Sequence, residues 1–152
     1  MRPLMLFSIV AMFVSLALSG CGGSSGSPLS AAELASQGNA ICERAKSEEN
    51  ALHVQNAQGM RLAIPRLEEI GAHELADLSK LAPPASEQNS YHELLTTASE
   101  VDGLLKPLSS DLATAGSAPP ELLAHGRALT SRFAALTGPL DMSSCSSSSP
   151  AG

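Results

Sequence analysis

The chain has 152 residues, with nine basic and fifteen acidic side chains and a formal net charge of −6. This balance argues against nucleic acid as a partner, because binding a phosphate backbone needs clustered Lys and Arg. Aromatic residues make up only 3% of the chain, with one Tyr and no Trp, so stacking platforms for bases or sugar rings are nearly absent.

The first 20 residues predict a secretory signal that is removed from the mature protein. Arg2 provides a positive charge, and a largely apolar run without charged residues follows over residues 4–18. This run is shorter than the roughly twenty apolar residues that a membrane-spanning helix needs, and it breaks into Gly, Ser and Cys. We therefore expect cleavage, which leaves 132 residues and one domain.

Residues 18–21, Leu-Ser-Gly-Cys, resemble the lipobox of bacterial lipoproteins. In such proteins, small residues before the cysteine fit the lipoprotein signal peptidase, and the cysteine thiol takes a diacylglyceryl group. The resemblance implies cleavage between Gly20 and Cys21, lipidation of Cys21 with attached acyl chains such as palmitate, and anchoring at the extracytoplasmic face of the cell membrane. The alternative is an ordinary secreted protein with a coincidental cysteine at its cleavage site.

Two further cysteines remain once lipid occupies Cys21. Because an exported chain enters an oxidising compartment, we expect a disulfide between Cys42 and Cys145. Two free thiols or a mixed metal site are the alternatives, although neither cysteine lies in a CxxC motif or next to a ligating His.

The mature chain divides into a tether, one helical domain and a tail. Residues 21–29 contain the lipidated cysteine and the stretch GGSSGS, which is typical of a flexible linker. Helical periodicity of apolar residues extends over residues 30–142. Alternation of apolar and polar residues that is long enough to indicate a strand does not occur. The Ser-rich composition of residues 143–152 predicts a disordered tail, except where a disulfide of Cys145 holds the chain in place.

The first two predicted helices are separated by Gly59. Ser30 and Glu33 form a capping box at the start of helix one. Apolar residues then recur at spacings of three, four and seven, and Gly59 is expected to end the helix. Helix two is expected over about residues 60–81, with Pro65 tolerated in its first turn.

The last two predicted helices each follow a pair of prolines. Helix three is expected from about Ala85 to Leu112, with a kink or a break at Pro107, whose ring removes one backbone hydrogen bond and collides with the preceding turn. A proline pair at residues 119–120 suits the first turn of helix four, and residues 138–139, Gly-Pro, are expected to stop it.

Four helices with short connections favour an all-α, up-down four-helix bundle with a kinked third helix. In this topology, the end of helix four lies beside the start of helix one, and Cys42 lies about 18 Å below that start. The seven residues after Gly138 can span about 23 Å. The tail is therefore long enough to fold back to Cys42.

Three histidines follow a glutamate at a spacing that shares one helical face, namely Glu49 and His53, Glu69 and His73, and Glu121 and His125. One interpretation is a carboxylate–imidazole metal site, and the other is a set of solvated surface pairs. Because the periodicity places Glu69 and His73 opposite the apolar face and the other pairs at the flanks, we expect no metal and no cofactor. The motifs GxSxG, Walker A, GxGxxG, HExxH and CxxCH do not occur, so we expect no enzyme.

The run GNAICERAKSE, the LAPP turn and a cysteine just beyond a helix ending in LTG form a wider pattern over about residues 33–145. This pattern resembles small, uncharacterised exported helical proteins and lipoproteins of high-GC Gram-positive bacteria, in which NAIC-type and C-terminal cysteines bracket the domain. The resemblance implies an all-helical fold and a Cys42–Cys145 disulfide, and it supplies no activity or site.

The leading functional expectation is a membrane-anchored envelope lipoprotein that acts without catalysis, by contact with another envelope protein or the cell wall. The alternative is a small-molecule or lipid carrier, in which the kink at Pro107 opens a Leu-lined interior to an apolar ligand. A metal-binding helical bundle is the second alternative.

Overall fold

The computed structural model describes residues 27–146, which form helices, turns and loops with no strand. The elements in chain order are α1 (Ala31–Asn50), α2 (Ala57–Leu78), α3 (Gln88–Asp102), α4 (Leu105–Thr114), α5 (Pro120–Thr137), a 3-10 turn (Gly138–Leu140) and the one-turn α6 (Ser143–Ser146). The predicted all-α class is confirmed. Within this part of the chain, no helix is both long enough and apolar enough to cross a membrane. The predicted signal peptide, Gly20 and Cys21 lie outside it.

Helix α1 begins where the capping box predicts. The Ser30 hydroxyl accepts a hydrogen bond from the Glu33 amide at 3.3 Å, and Glu33 Oε2 accepts one from the Ser30 amide at 2.9 Å. Both bonds satisfy amides of the first turn that have no partner within the helix. Leu29 packs against the core beside this start, as a hydrophobic staple does, and its amide donates to the Ala82 carbonyl at 2.7 Å.

The predicted end of helix one at Gly59 was wrong. α1 ends at Asn50, and His53 then adopts a left-handed conformation with φ of 48°, which redirects the chain. Asn56 caps the next helix, because its Oδ1 accepts a hydrogen bond from the Gly59 amide at 2.8 Å. Gly59 therefore lies in the first turn of α2. The strong cap at Asn56 starts this helix before the glycine can act as a terminator.

The predicted position of Pro65 in a first turn was also wrong. α2 starts at Ala57, which makes Pro65 an interior residue of the helix, and α2 ends at Leu78 rather than at about residue 81. Proline has no amide to donate to the preceding turn, so the helix tolerates one missing hydrogen bond at this exposed position.

The predicted third helix consists of two separate helices. α3 starts at Gln88 rather than near Ala85 and ends at Asp102, and the Leu104 amide donates to the Val101 carbonyl at 3.1 Å in a tight turn. α4 starts at Leu105, which places Pro107 in its first turn, where an amide would have no helical partner. The disruption expected at Pro107 therefore takes the form of a break that precedes the proline.

The C-terminal segment returns to α1 after α5, which ends at Thr137 as predicted. Asp141 adopts a left-handed conformation with φ of 52°, and the Met142 amide donates to the Thr137 carbonyl at 3.0 Å. Four residues that were expected in a disordered tail, Ser143–Ser146, form α6, which contacts α1 and α5. The expectation for residues 147–152 falls outside the described residues.

The core lies where α1, α2, α3 and the C-terminal segment meet. α2 contacts α1, α3 and α4, and α3 also contacts α5. The buried side chains of the main cluster are Leu34, Cys42, Leu78, Tyr91, Leu94, Leu140, Met142 and Cys145. This arrangement leaves the facing sides of α4 and α5 outside the main core.

Candidate functional site

The disulfide between Cys42 and Cys145 is present, as predicted. It joins α1 to α6 with the two Cα atoms 5.0 Å apart, and the two residues are 0% and 1% exposed. Burial on this scale shields the bond from solvent thiols in the folded protein. The bond is therefore a permanent part of the core, and the alternatives of free thiols or a metal site at these cysteines are wrong.

A second bridge that the sequence analysis missed lies beside this disulfide. The Asn39 amide group donates to the Asp141 carbonyl at 2.9 Å and accepts from the Ser144 amide at 2.8 Å. The Ser144 hydroxyl also donates to Glu43 at 2.9 Å. Asn39 lies one helical turn before Cys42, which places both side chains on the same face of α1. This spacing could have predicted from the sequence that Asn39 contacts the segment around Cys145.

The three Glu–His pairs do not assemble into one site. Glu69 pairs with Arg66 at 2.6 Å, and this hydrogen bond and charge lower the pKa of the Glu69 carboxyl. His73, Glu121 and His125 are exposed. Across residues 27–146, no three His, Cys, Asp or Glu side chains lie together in a way that could hold a metal ion.

Two glutamates at the α1–α2 contact carry perturbed carboxyl groups, namely Glu49, which the sequence analysis considered only with His53, and Glu74, which it did not single out. The pKa of Glu74 is raised to about 7, mainly by desolvation and in addition by the nearby negative charge of Glu49, while Arg44 opposes both effects. The pKa of Glu49 is also raised by burial. The pair therefore holds a proton more readily than ordinary glutamates do.

Asp102 is a further carboxylate in an unfavourable position, at the C-terminal end of α3. Its Oδ1 is buried without a hydrogen-bond partner, and a Cβ at Gly71 would lie only 2.5 Å from this atom. Burial and the neighbouring charge of Glu68 raise the pKa of the Asp102 carboxyl. Gly71 is therefore needed where α2 passes the end of α3, since any side chain there would displace the carboxyl group.

A groove of about 570 Å³ lies between α4 and α5. Leu104, Leu105 and Leu108 form one wall, directly after the break between α3 and α4. The other wall comes from α5, and Ser146 of α6 also lines the groove. The complete lining is Leu104, Leu105, Leu108, Leu122, Leu123, Gly126, Arg127, Thr130, Ser131, Ala134 and Ser146.

The first part of α5 faces this groove and not the core. Leu122 and Gly126 continue the heptad spacing of α5, which is typical of core positions, yet both are only partly buried and line the open groove. Leu123, one position further round the helix, is 46% exposed in the same groove. The broken helix explains the difference, because α4 does not cover this half of α5 as a continuous third helix would.

No protein-family model, curated protein or solved structure matches this chain.

Proposed function

We propose that the chain is an exported lipoprotein, anchored through a lipidated Cys21 at the extracytoplasmic face of the membrane, with a non-catalytic helical domain. In this proposal, the domain is an up-down four-helix bundle. Its third helix consists of α3 and α4, with a break between them in place of a kink. The buried Cys42–Cys145 disulfide supports export, because such bonds form and persist in oxidising compartments.

Fractionation of cells that express the full chain tests the anchor. We expect the wild-type protein in the membrane fraction with incorporated palmitate, and Cys21→Ser in the soluble exported fraction without label. Ser24→Ala, three residues away in the tether, is the matched control and should behave as wild type. A Cys21→Ser protein that stays membrane-bound and labelled would disprove the proposal.

The geometry best supports the carrier role among the binding roles expected from the sequence. The observation behind this choice is the groove between α4 and α5, whose volume of about 570 Å³ lies in the usual range for small-molecule sites, about 300–1,000 Å³. Its leucines occur beside the helix break, although the carrier hypothesis expected the opening to lead into the interior of the bundle and this groove lies outside the main core. We therefore propose a small-molecule or lipid carrier.

Native mass spectrometry of protein extracted gently from membranes tests the carrier role. We expect a retained adduct of lipid size on the wild type and its loss in Gly126→Leu. A Cβ at Gly126 would lie 3.5 Å from Leu104 Cδ1, which is ordinary contact, and we expect the further carbons of the leucine to occupy space in the groove. Gly59→Ala, outside the groove, should keep the adduct. Wild-type protein without any adduct would contradict the carrier role.

Contact with another envelope protein is the second candidate, and the exposure of Leu123 favours it. A photoreactive amino acid at this position should give a discrete crosslinked protein in intact cells if the groove contacts a partner. Leu62, which is 69% exposed on α2 and does not line the groove, is the matched position and should give none.

A further inference from the structure

The groove between α4 and α5 has an apolar end and a polar end. Along α5, the residues Leu122, Leu123 and Gly126 come first and face the leucines of α4. Arg127, Thr130 and Ser131 follow, then Ala134, and α6 adds Ser146. Because α5 is a continuous helix, this order in the sequence is also an order in space along the groove.

The cation at the polar end has no partner of its own. Arg127 makes no ion pair with any described residue, whereas Arg132, further along α5, contacts Glu93 of α3 at 2.7 Å. The chain has fifteen acidic and nine basic side chains, yet none of the described carboxylates pairs with Arg127. The position is complementary to an anion brought by a ligand.

A hydroxyl group next to this cation is also available to a ligand. Ser131 makes no hydrogen bond with the described residues, whereas the Thr130 hydroxyl already donates to the Gly126 carbonyl at 3.0 Å. A guanidinium group binds a carboxylate through two parallel N–H donors, and a neighbouring hydroxyl can donate a third hydrogen bond. One Arg and one Ser match a single carboxylate.

The composition of the groove favours a fatty acid over a helix of another protein. The end of the groove that holds the leucines spans five residues on each wall, Leu104–Leu108 and Leu122–Gly126. A docked amphipathic helix presents its anchors along one continuous apolar stripe. Beyond Gly126 the lining is mostly polar, with Ala134 as its one apolar residue, so such a stripe would leave Arg127 and Ser131 unsatisfied.

From these features, we propose that the α4–α5 groove binds a fatty acid, with the acyl chain against the leucines and the carboxylate on Arg127 and Ser131. The inference rests on the carrier function proposed above and names its ligand class. Burial of the chain provides affinity that grows with each methylene, and Arg127 selects the charge of the head group.

Calorimetric titration of the mature chain with Cys21→Ser, which carries no lipid of its own, tests the ligand class. The probes are dodecanoate, dodecanol and dodecyltrimethylammonium, each below its micelle concentration. We expect dodecanoate to bind at least about tenfold more tightly than dodecanol, and the cation not to bind. Higher salt should weaken the binding of dodecanoate alone, because Arg127 is exposed.

Two pairs of variants locate the site. Arg127→Gln should remove the preference for dodecanoate, with about a tenfold loss of affinity, and Arg127→Lys should restore part of it. Arg61→Gln, which removes another unpaired Arg from α2, is the control and should bind as wild type. Leu123→Asp should abolish binding, whereas Leu62→Asp should not.

The outcomes separate this inference from the carrier function. If dodecanol binds as tightly as dodecanoate and Arg127→Gln changes nothing, the fatty acid assignment is overturned while the carrier role survives. If no amphiphile binds and the extracted protein holds no adduct, both fail. A crosslinked protein at Leu123 together with the absence of amphiphile binding would overturn the fatty acid site in favour of a protein partner.

Discussion

Gly38 of α1 lies directly against the side chain of Met142, and a Cβ at this glycine would overlap the Met142 methyl group and lie 3.0 Å from its sulfur. Met142 is fully buried, so its side chain can move away only by shifting against its neighbours in the core. We expect Gly38→Ala to lower the free energy of unfolding by about 1–3 kcal/mol, although Ala favours helix over Gly. Urea denaturation measures this change.

A second variant shows whether Met142 is the cause. Met142→Ala removes the overlapping atoms, so Gly38→Ala should cost less in that background than in the wild type. Gly59→Ala is the control, because a Cβ there would meet only Asn56 Oδ1 at 3.5 Å. Equal losses from Gly38→Ala in both backgrounds would show that the contact does not matter.

Glu74 should make the protein less stable as pH rises. Its pKa is about 7 in the folded protein, above its ordinary value of 4.5, so the folded state holds more protons between these pH values. The free energy of unfolding should therefore fall as pH rises from about 4.5 through 7. Glu74→Gln should flatten this decline and be more stable than wild type by about 1–2 kcal/mol at pH 8.

Glu69→Gln is the matched control for the pH dependence. The pKa of Glu69 is lowered by its hydrogen bond to Arg66, so its contribution is present above the unfolded pKa and is lost as pH falls. This substitution should slightly destabilise the protein at neutral pH. Parallel pH profiles for Glu74→Gln and wild type would contradict the interpretation of the buried carboxyl group.

Tyr91 connects α3 to the end of α2 through a buried hydrogen bond, in which its hydroxyl donates to the Leu78 carbonyl at 2.7 Å. The same carbonyl also accepts from the Leu81 amide at 3.0 Å, so it keeps one partner when the hydroxyl is removed. We expect Tyr91→Phe to cost about 0.5–1.5 kcal/mol in thermal or urea unfolding. Tyr91→Leu should cost more, because it also leaves a cavity.

The disulfide should provide a large share of the stability. The chain-entropy model gives about 4–5 kcal/mol for a loop of this size, so Cys42→Ala with Cys145→Ala should unfold at much lower denaturant concentration. Hydrogen exchange in α6 should become faster in this variant. In the wild type, reductant should add two hydrogens to the intact mass only under denaturing conditions, and reduction of the folded protein would contradict the burial of the bond.

The sequence predicted those parts of the fold that depend on local chemistry. The Ser30–Glu33 capping box, the end of α5 before Gly138, and the disulfide were predictable because each depends on neighbouring residues or on the cysteine count. The end of α1 was not, because Gly59 resembles a terminator until the Asn56 cap is seen to start a new helix.

The candidate site was harder to predict because it depends on packing between separate helices. The leucines of α4 and α5 have the periodicity of core residues, and only the break before Leu105 leaves Leu122 and Gly126 in an open groove. Whether Arg127 has an ion-pair partner likewise depends on where the carboxylates of the other helices lie in the folded chain. A single helical pattern contains none of this information.

The Cys42–Cys145 bond closes a covalent ring that includes α2, α3, α4 and α5. A protease that cuts once inside this ring, for example in residues 51–56 or 115–119, therefore opens the polypeptide without releasing a fragment. On a gel, the nicked protein should run as one species without reductant and as two with it. Damage to an exposed loop would thus leave both pieces joined to the segment that leads to the N-terminus.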